Sequence, residues 1–206
     1  MDLTNRLVAR ELQRSLGESL IGRRIIVLQS TRSTNDFLLQ MLTPDLPEGF
    51  VVFAEEQTAG RGQRGHRWAS APYLGLWFSI LLRPPIPATE SARLTQWAAQ
   101  GIAATVETEF ALRPEIKPPN DVYLHGRKIA GVLVETKAGK GREWAAIVGL
   151  GVNLNQLEND FPAELRARAS SLAMAIGRPI NRAAFACALL RQLDRTWVEV
   201  CSIACR

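Results

Sequence analysis

The hydrophobic positions change rhythm several times along the chain. Leu7, Leu12, Leu16 and Leu20 recur at roughly helical spacing over residues 5 to 20, Gly22 stops that pattern, and RIIVLQS (24–30) reads as a strand. Ser33 or Thr34 can cap a helix running through Gln40, entered directly from that strand. VVFAEE (51–56) and LGLWFSILL (74–82) are strand-like runs on either side of a glycine-rich segment. An amphipathic pattern without internal proline predicts a long helix from Ala88 to Leu112, closed before Pro114 by the restriction that proline places on its predecessor. Three further strand-like runs follow: DVYLHG (121–126), KIAGVLVETK (128–137) and REWAAIVGLGVNL (142–154). The last two are joined by AGKG (138–141), a turn that predicts antiparallel neighbours. Residues 161 to 205 read as helical throughout, with Gly177 and Pro179 dividing a short piece from a final helix that starts near Asn181. Strands in hairpins, with helices not strictly alternating between them, predict an α+β fold with a single mixed, largely antiparallel β-sheet packed with helices.

Length and composition narrow the function. With 206 residues, 47% of them hydrophobic, the chain can bury one substantial core and reads as one domain spanning 1–206. The formal charge of +5 could suggest nucleic acid. No dense Lys/Arg run appears, however, and aromatic residues are not interleaved with basic ones, so the excess suits a small anionic substrate and no nucleic-acid partner is expected. The sequence before Arg24 is too short for a helix-turn-helix. Cys187, Cys201 and Cys205 are odd in number and lack C-x-x-C spacing, and only His66 and His125 could add nitrogen ligands, which argues against a disulfide scaffold or a zinc site. The start, MDLTNRLVAREL, has no apolar h-region, and no apolar run reaches membrane-span length, so no membrane association and a cytoplasmic location are expected.

Polar chemistry concentrates in EEQTAGRGQRGHRW, residues 55 to 68. Gly60, Gly62 and Gly65 can bring bare N–H groups close to a ligand, and Arg61, Arg64 and Arg67 supply charge-assisted donors to phosphate or carboxylate. The spacing also matches G-x-G-x-x-G. A dinucleotide-binding turn needs a helix opening directly after the glycines, and RWASAPY followed by a strand-like run does not supply one. Taken alone, the segment is either an anion-closing loop or a solvated basic hairpin.

Around it stand STN (33–35), KPPND (117–121), GRKIAG (126–131) and GLGVN (149–153). In order and spacing these blocks resemble the catalytic domain of biotin protein ligases, whose pattern runs S-T-N, x-x-A-G-R-G-x-x-G-x-x-W, K-W-P-N-D, x-K-x-A-G-I-L and G-x-G-x-N. The resemblance runs from Ser33 to Asn153. It departs at Pro118, where the family usually has tryptophan, and at Gln63 and His66, where many relatives carry arginine. The resemblance implies a class II aminoacyl-tRNA-synthetase-like catalytic domain, with no N-terminal DNA-binding domain and without the small C-terminal β domain of many relatives. It also implies a ligase: biotin and ATP form biotinyl-5′-AMP, and biotin then passes to a lysine of a biotin carboxyl carrier protein, such as an acetyl-CoA carboxylase subunit. A homodimer stays open.

By the same resemblance, Ser33, Thr34, Asn35 and Gln57 bond the ureido ring, while Arg61, Gly62, Gln63 and Lys128 hold the biotin carboxylate. Gly60, Arg64, Gly65, Trp68, Lys117, Asn120 and Asn153 bind ATP, with Mg²⁺ carried by phosphates and water rather than by direct protein ligands. Lys128, Lys117 and Arg61 offset the repulsion between carboxylate and triphosphate, and Asp121 orients or deprotonates the acceptor lysine. Each position also has a plainer reading. Ser33 and Thr34 are good helix caps, Asp121 suits an Asx turn, Lys128 a surface turn, and Trp68 a core position. Two other functions remain: lipoate or octanoate ligation or transfer on the same fold, and a non-catalytic biotin binder.

Overall fold

A computed structural model describes residues 6–139 and 144–202. Its centre is one seven-stranded sheet in the order β1-β2-β3-β7-β6-β5-β4. The strands are β1 Ile25–Leu28, β2 Val51–Ala54, β3 Gly75–Leu82, β4 Glu115–Lys117, β5 Asp121–Leu124, β6 Arg127–Ala138 and β7 Trp144–Asn153. Only β1 and β2 run parallel; every other neighbouring pair is antiparallel. The helices are α1 Ala9–Leu16, α2 Thr34–Met41, α3 Ala92–Phe110, α4 Leu172–Ile176 and α5 Arg182–Ser202. This is the mixed α+β sheet that the hairpin pattern predicts.

The two-residue alternation of strand side chains divides the apolar residues between two faces. Val51, Phe53, Ile80, Leu82, Val132, Val148 and Val152 face the main core, where Leu12, Leu94, Ile102 and Leu190 pack from α1, α3 and α5. Val52, Leu81, Ala145 and Ile147 face the opposite side, under Leu38 of α2. That second face is apolar for only part of its length. Continuing along it, the residues after Leu81 and Ile147 in alternation are Ser79 on β3 and Gly149 and Gly151 on β7. Their partner positions on β6 are Leu133, opposite Gly149, and Gly131, opposite Gly151. The polar loops gather over this stretch of small residues.

Some elements differ from expectation. The first helix is shorter, because Gly17 at φ 67 ends it after Leu16. Residues 161 to 205 are not continuously helical. After a 3-10 turn at Ala163–Leu165 the chain runs beside β6, with Lys128 N donating to Arg168 O at 2.8 Å and Ser170 N to Lys128 O at 2.9 Å. Helix α4 then begins at a true cap, Ser171 Oγ accepting from Met174 N. Alternating arginine and alanine make 166–169 look helical, whereas backbone pairing with a neighbouring strand satisfies the segment equally well. Strand β4 was not foreseen, being a three-residue edge. The β6–β7 pairing agrees with the hairpin prediction, though residues 140 to 143 of its turn lie outside the described residues, as does Cys205. Among the described residues no helix is long and apolar enough to cross a membrane.

One polar contact lies deep in the packed structure. Arg182, at the start of α5, pairs with Glu55 at 2.6 Å, both side chains being almost fully buried. The same guanidinium donates through Nε to Gly75 O at 2.9 Å, and Glu55 Oε1 accepts from Leu7 N at 2.8 Å. Burial lowers the Arg182 pKa from its ordinary value, and the Glu55 charge opposes that shift. Removing one member of such a pair leaves an uncompensated charge, so Arg182→Met should destabilise the fold by about 3–5 kcal/mol in urea unfolding. A loss no larger than that of an exposed pair, about 1 kcal/mol or less, would show that the interaction is dispensable.

Candidate functional site

The N-terminus of α2 follows β1 after a short turn, and Ser33 caps it by accepting from Asp36 N at 3.5 Å. This geometry points Thr34 and Asn35 inward, both buried. Gln57 Oε1 accepts from Thr34 N at 2.8 Å and lies 3.1 Å from Thr34 Oγ1, while Gln57 Nε2 donates to Ser70 Oγ at 3.0 Å. Ser79 Oγ is within 2.7 Å of Thr34 Oγ1 and 2.5 Å of Asn35 Oδ1. Asn35 Nδ2 donates to Glu135 Oε2 at 2.8 Å and approaches Leu133 O at 3.3 Å. The amides and hydroxyls thus form one connected set in which each side chain holds its neighbour.

The glycine–arginine segment folds into a small hairpin. Arg61 and Arg67 form a bridge, Gly62 N donates to His66 O at 2.7 Å, and Trp68 N donates to Gly60 O at 2.9 Å. A 3-10 turn at Gln63–Gly65 closes it, with Arg64 at φ 55 and Gly65 at φ 77 in the left-handed region. No helix opens after the glycines and the chain continues into β3, so the dinucleotide-binding alternative fails on the structural context it requires. Arg61 reaches back to α2 and β6, pairing through one nitrogen with Asp36 at 2.5 Å and Glu135 at 2.7 Å.

The floor is bare backbone. A Cβ on Gly149 would sit 2.3 Å from Asn35 Oδ1, and one on Gly151 would sit 2.5 Å from the Trp68 indole. Gly131 meets Trp68 and Lys128 on the neighbouring strand. Trp68 lies edge-on to Trp77, and its buried Nε1 has no hydrogen-bond partner among the described residues. Lys128 Nζ is 5.2 Å from the Trp68 ring centroid and pairs with Asp121 at 2.6 Å across β5 and β6. Because Asn35 lies over Gly149 and Lys128 beside Gly131, the neutral set and the lysine are offset by two strand residues, roughly 7 Å. The cavity between them is open to solvent on one side and has a volume of about 350 Å³.

Twelve of the residues to which the resemblance gives a role line this cavity: Ser33, Thr34, Asn35, Gln57, Arg61, Gly62, Gln63, Arg64, Trp68, Asn120, Asp121 and Lys128; Arg67 lines it as well. Gly60, Gly65, Lys117 and Asn153 are outside its lining. Lys117 is exposed on β4 with Nζ 3.9 Å from the Tyr123 ring centroid, and Asn153 is buried, donating to Ser170 O at 2.9 Å. Asn120 lines the wall while its Nδ2 holds Val132 O at 2.9 Å. Sequence reasoning missed Asp36, Ser79 and Glu135, which support the lining residues. Ser79 was open to detection as the one polar residue inside LWFSILL.

Comparison with known proteins fits this arrangement. The model of the biotin/lipoate A/B protein ligase family matches residues 27–153. The chain belongs to this family. The biotin–[acetyl-CoA-carboxylase] ligase of Mycobacterium tuberculosis is 32% identical over 198 residues, covering 91% of this chain and 71% of that protein. The bifunctional ligase/repressor BirA of Bacillus subtilis is 36% identical over 178 residues, covering 86% of this chain; the chain spans only 55% of that relative's length. Among solved structures, the biotin protein ligase from Aquifex aeolicus in complex with biotin and ATP superposes with a TM-score of 0.75 at 28% identity, covering 87% of this chain and 72% of that one. The family match includes Ser33 to Lys128, so the cavity lies within the shared region.

Ser79 anchors two lining residues without reaching the cavity itself. Ser79→Ala should therefore cost about 1–3 kcal/mol of folding stability, since it leaves the buried groups of Thr34 and Asn35 short of a partner. Urea unfolding measures this, and an unchanged midpoint would mean that those groups satisfy each other without Ser79.

Proposed function

We propose that this protein is an ATP-dependent biotin–protein ligase acting on a lysine of a biotin carboxyl carrier protein. The observation that carries the reading is the cavity's chemistry. A preassembled set of neutral amides and hydroxyls suits a urea ring, and a lysine roughly 7 Å further along the same strands suits the acid at the far end of a short apolar tail. A lipoate dithiolane has no carbonyl or N–H to offer these amides and hydroxyls, which disfavours the lipoate or octanoate alternative. Retention of the Lys128–Asp121 pair beside the amides disfavours a mere binder.

In the first step a biotin carboxylate oxygen attacks the α-phosphorus of ATP. The bond to the β-phosphate oxygen breaks and pyrophosphate leaves. Lys128 offsets the charge that develops between carboxylate and phosphate, and the Arg61–Arg67 hairpin covers the anion. In the second step the neutral amine of the acceptor lysine attacks the acyl carbon, the bond to AMP breaks, and Asp121 takes the proton. Mg²⁺, held by phosphate and water oxygens rather than by side chains of this protein, would supply charge neutralisation on the triphosphate. Among the described residues no group of three or more His, Cys, Asp or Glu side chains is placed to hold a metal. The reading places the reaction in the cytoplasm.

Exchange of labelled pyrophosphate into ATP should depend on biotin and should be far weaker with lipoate or octanoate. Equal exchange with lipoate would overturn the substrate assignment. Lys128→Ala should lose adenylation by roughly 10²–10³-fold, as removal of a transition-state donor does. Because Asp121 also pairs with Lys128, Asp121→Asn should slow adenylation modestly and transfer to the carrier much more, as single-turnover assays of each step would resolve. Equal losses in both steps for both variants would contradict the separate roles.

A further inference from the structure

We propose that Glu135 is a positioning residue that joins the amide side of the cavity to its cationic hairpin, acting through Asn35 and Arg61 and not on the substrate itself. The kinetic consequence rests on the ligase reading above; the positioning does not. Glu135 lies on the same face of β6 as Gly131 and Leu133, and its Oε2 accepts from Asn35 Nδ2 at 2.8 Å and from Arg61 at 2.7 Å. Two consequences follow from one oxygen.

The first is the direction of the Asn35 amide. Nδ2 faces the Glu135 carboxylate while Oδ1 faces Ser79 Oγ at 2.5 Å. A carboxylate accepts only and a hydroxyl can donate, so this pairing selects one of the two amide orientations. A ligand therefore meets an asparagine whose polarity is already set.

The second is the placement of Arg61. The two hydrogens of one terminal nitrogen point to Asp36 and Glu135, so the rest of the planar guanidinium is free to meet an anion, with no other partner among the described residues. Asp36 and Arg61 are 36% and 41% exposed and their mutual attraction is well screened, whereas Glu135 is 24% exposed and fixed by a second bond. Of the two carboxylates, Glu135 is the one that sets the geometry. It adds a negative charge beside an anion site, so its value lies in orientation. A purely electrostatic view predicts the opposite effect of neutralising it.

The test compares the full-length protein with Glu135→Gln and Asp36→Asn. The first readout needs no substrate: trypsin cleavage after Arg61 in the ligand-free protein, relative to cleavage after the exposed Arg64 on the same hairpin. Trypsin must capture the arginine side chain, so pinning protects Arg61 specifically. Glu135→Gln should raise the Arg61-to-Arg64 cleavage ratio several-fold, and Asp36→Asn should barely change it. The second readout is the pyrophosphate-exchange assay. There Glu135→Gln should raise the biotin KM about tenfold, as expected for losing hydrogen bonds to a charged group, with kcat within about twofold. An unchanged cleavage ratio, a lowered KM, or a fall in kcat without a change in KM would each overturn the proposal. If Glu135→Gln does not fold, Glu135→Asp, which withdraws the charge by one methylene, must give the same shifts, and a wild-type profile would overturn the proposal. A raised ratio in a protein without biotin-dependent exchange would leave the positioning intact and remove the ligase reading.

Discussion

Close approach of side chains to bare backbone on β6 and β7 determines nearly everything else about the cavity. At Gly149 and Gly151 an added Cβ would fall within 2.3–2.5 Å of Asn35 and Trp68. Because those positions are vacant, α2 and the end of the arginine hairpin can settle onto the sheet. The neutral amides and Trp68 then stand on the same surface, separated by the strand repeat. The apolar half of this face, at Leu81, Ala145 and Ile147, holds α2 by ordinary burial. The glycine half provides the space for a ligand. A single alternation of residue size along two strands thus separates the packing function of the face from its binding function.

Much of this was legible in the sequence. Hairpin runs predict the sheet, and the blocks STN, AGRGQRGHRW, PND and K-I-A-G imply one shared site through the family they resemble, although up to about a hundred residues separate them. The least visible parts were those decided by tertiary contact. Residues 166–169 have helical composition but pair with Lys128 on β6, because a strand edge beside them had unsatisfied backbone groups. Glu135 and Asp36 look like surface carboxylates on a strand and a helix, and only the fold reveals that both point at Arg61. Lys117 illustrates the reverse. Its motif position suggested a place in the site, yet an exposed edge strand carries it over Tyr123 and outside the cavity lining.

The pairing of both principal cations also affects how the site should be understood. Arg61 and Lys128 each contact a carboxylate before any substrate is present. These contacts cost little to rearrange, since partly exposed pairs are worth on the order of 1 kcal/mol or less. They hold flexible side chains near their working positions and limit the entropy lost on binding. An incoming anion then exchanges one carboxylate for another, and the cations need not be gathered from solvent.

The buried Glu55–Arg182 pair explains how an exposed hairpin can still be accurately placed. Glu55 lies at the end of β2, two residues before Gln57, and Gly75 begins β3 after the loop. Arg182 bonds both, through its terminal nitrogen to Glu55 and through Nε to Gly75 O, and Tyr73 N adds a bond to Glu55 O. The segment between them is therefore closed at its base by one guanidinium rooted in α5, in the opposite layer of the molecule. Loop-closure entropy is met there by a fully buried, multiply bonded charge, and the tip from Arg61 to Arg67 needs only its few hairpin bonds to hold its shape. Motion at the tip can then accompany ligand exchange without loosening Gln57 and Ser70, which hang from the closed base and hold the amide set together.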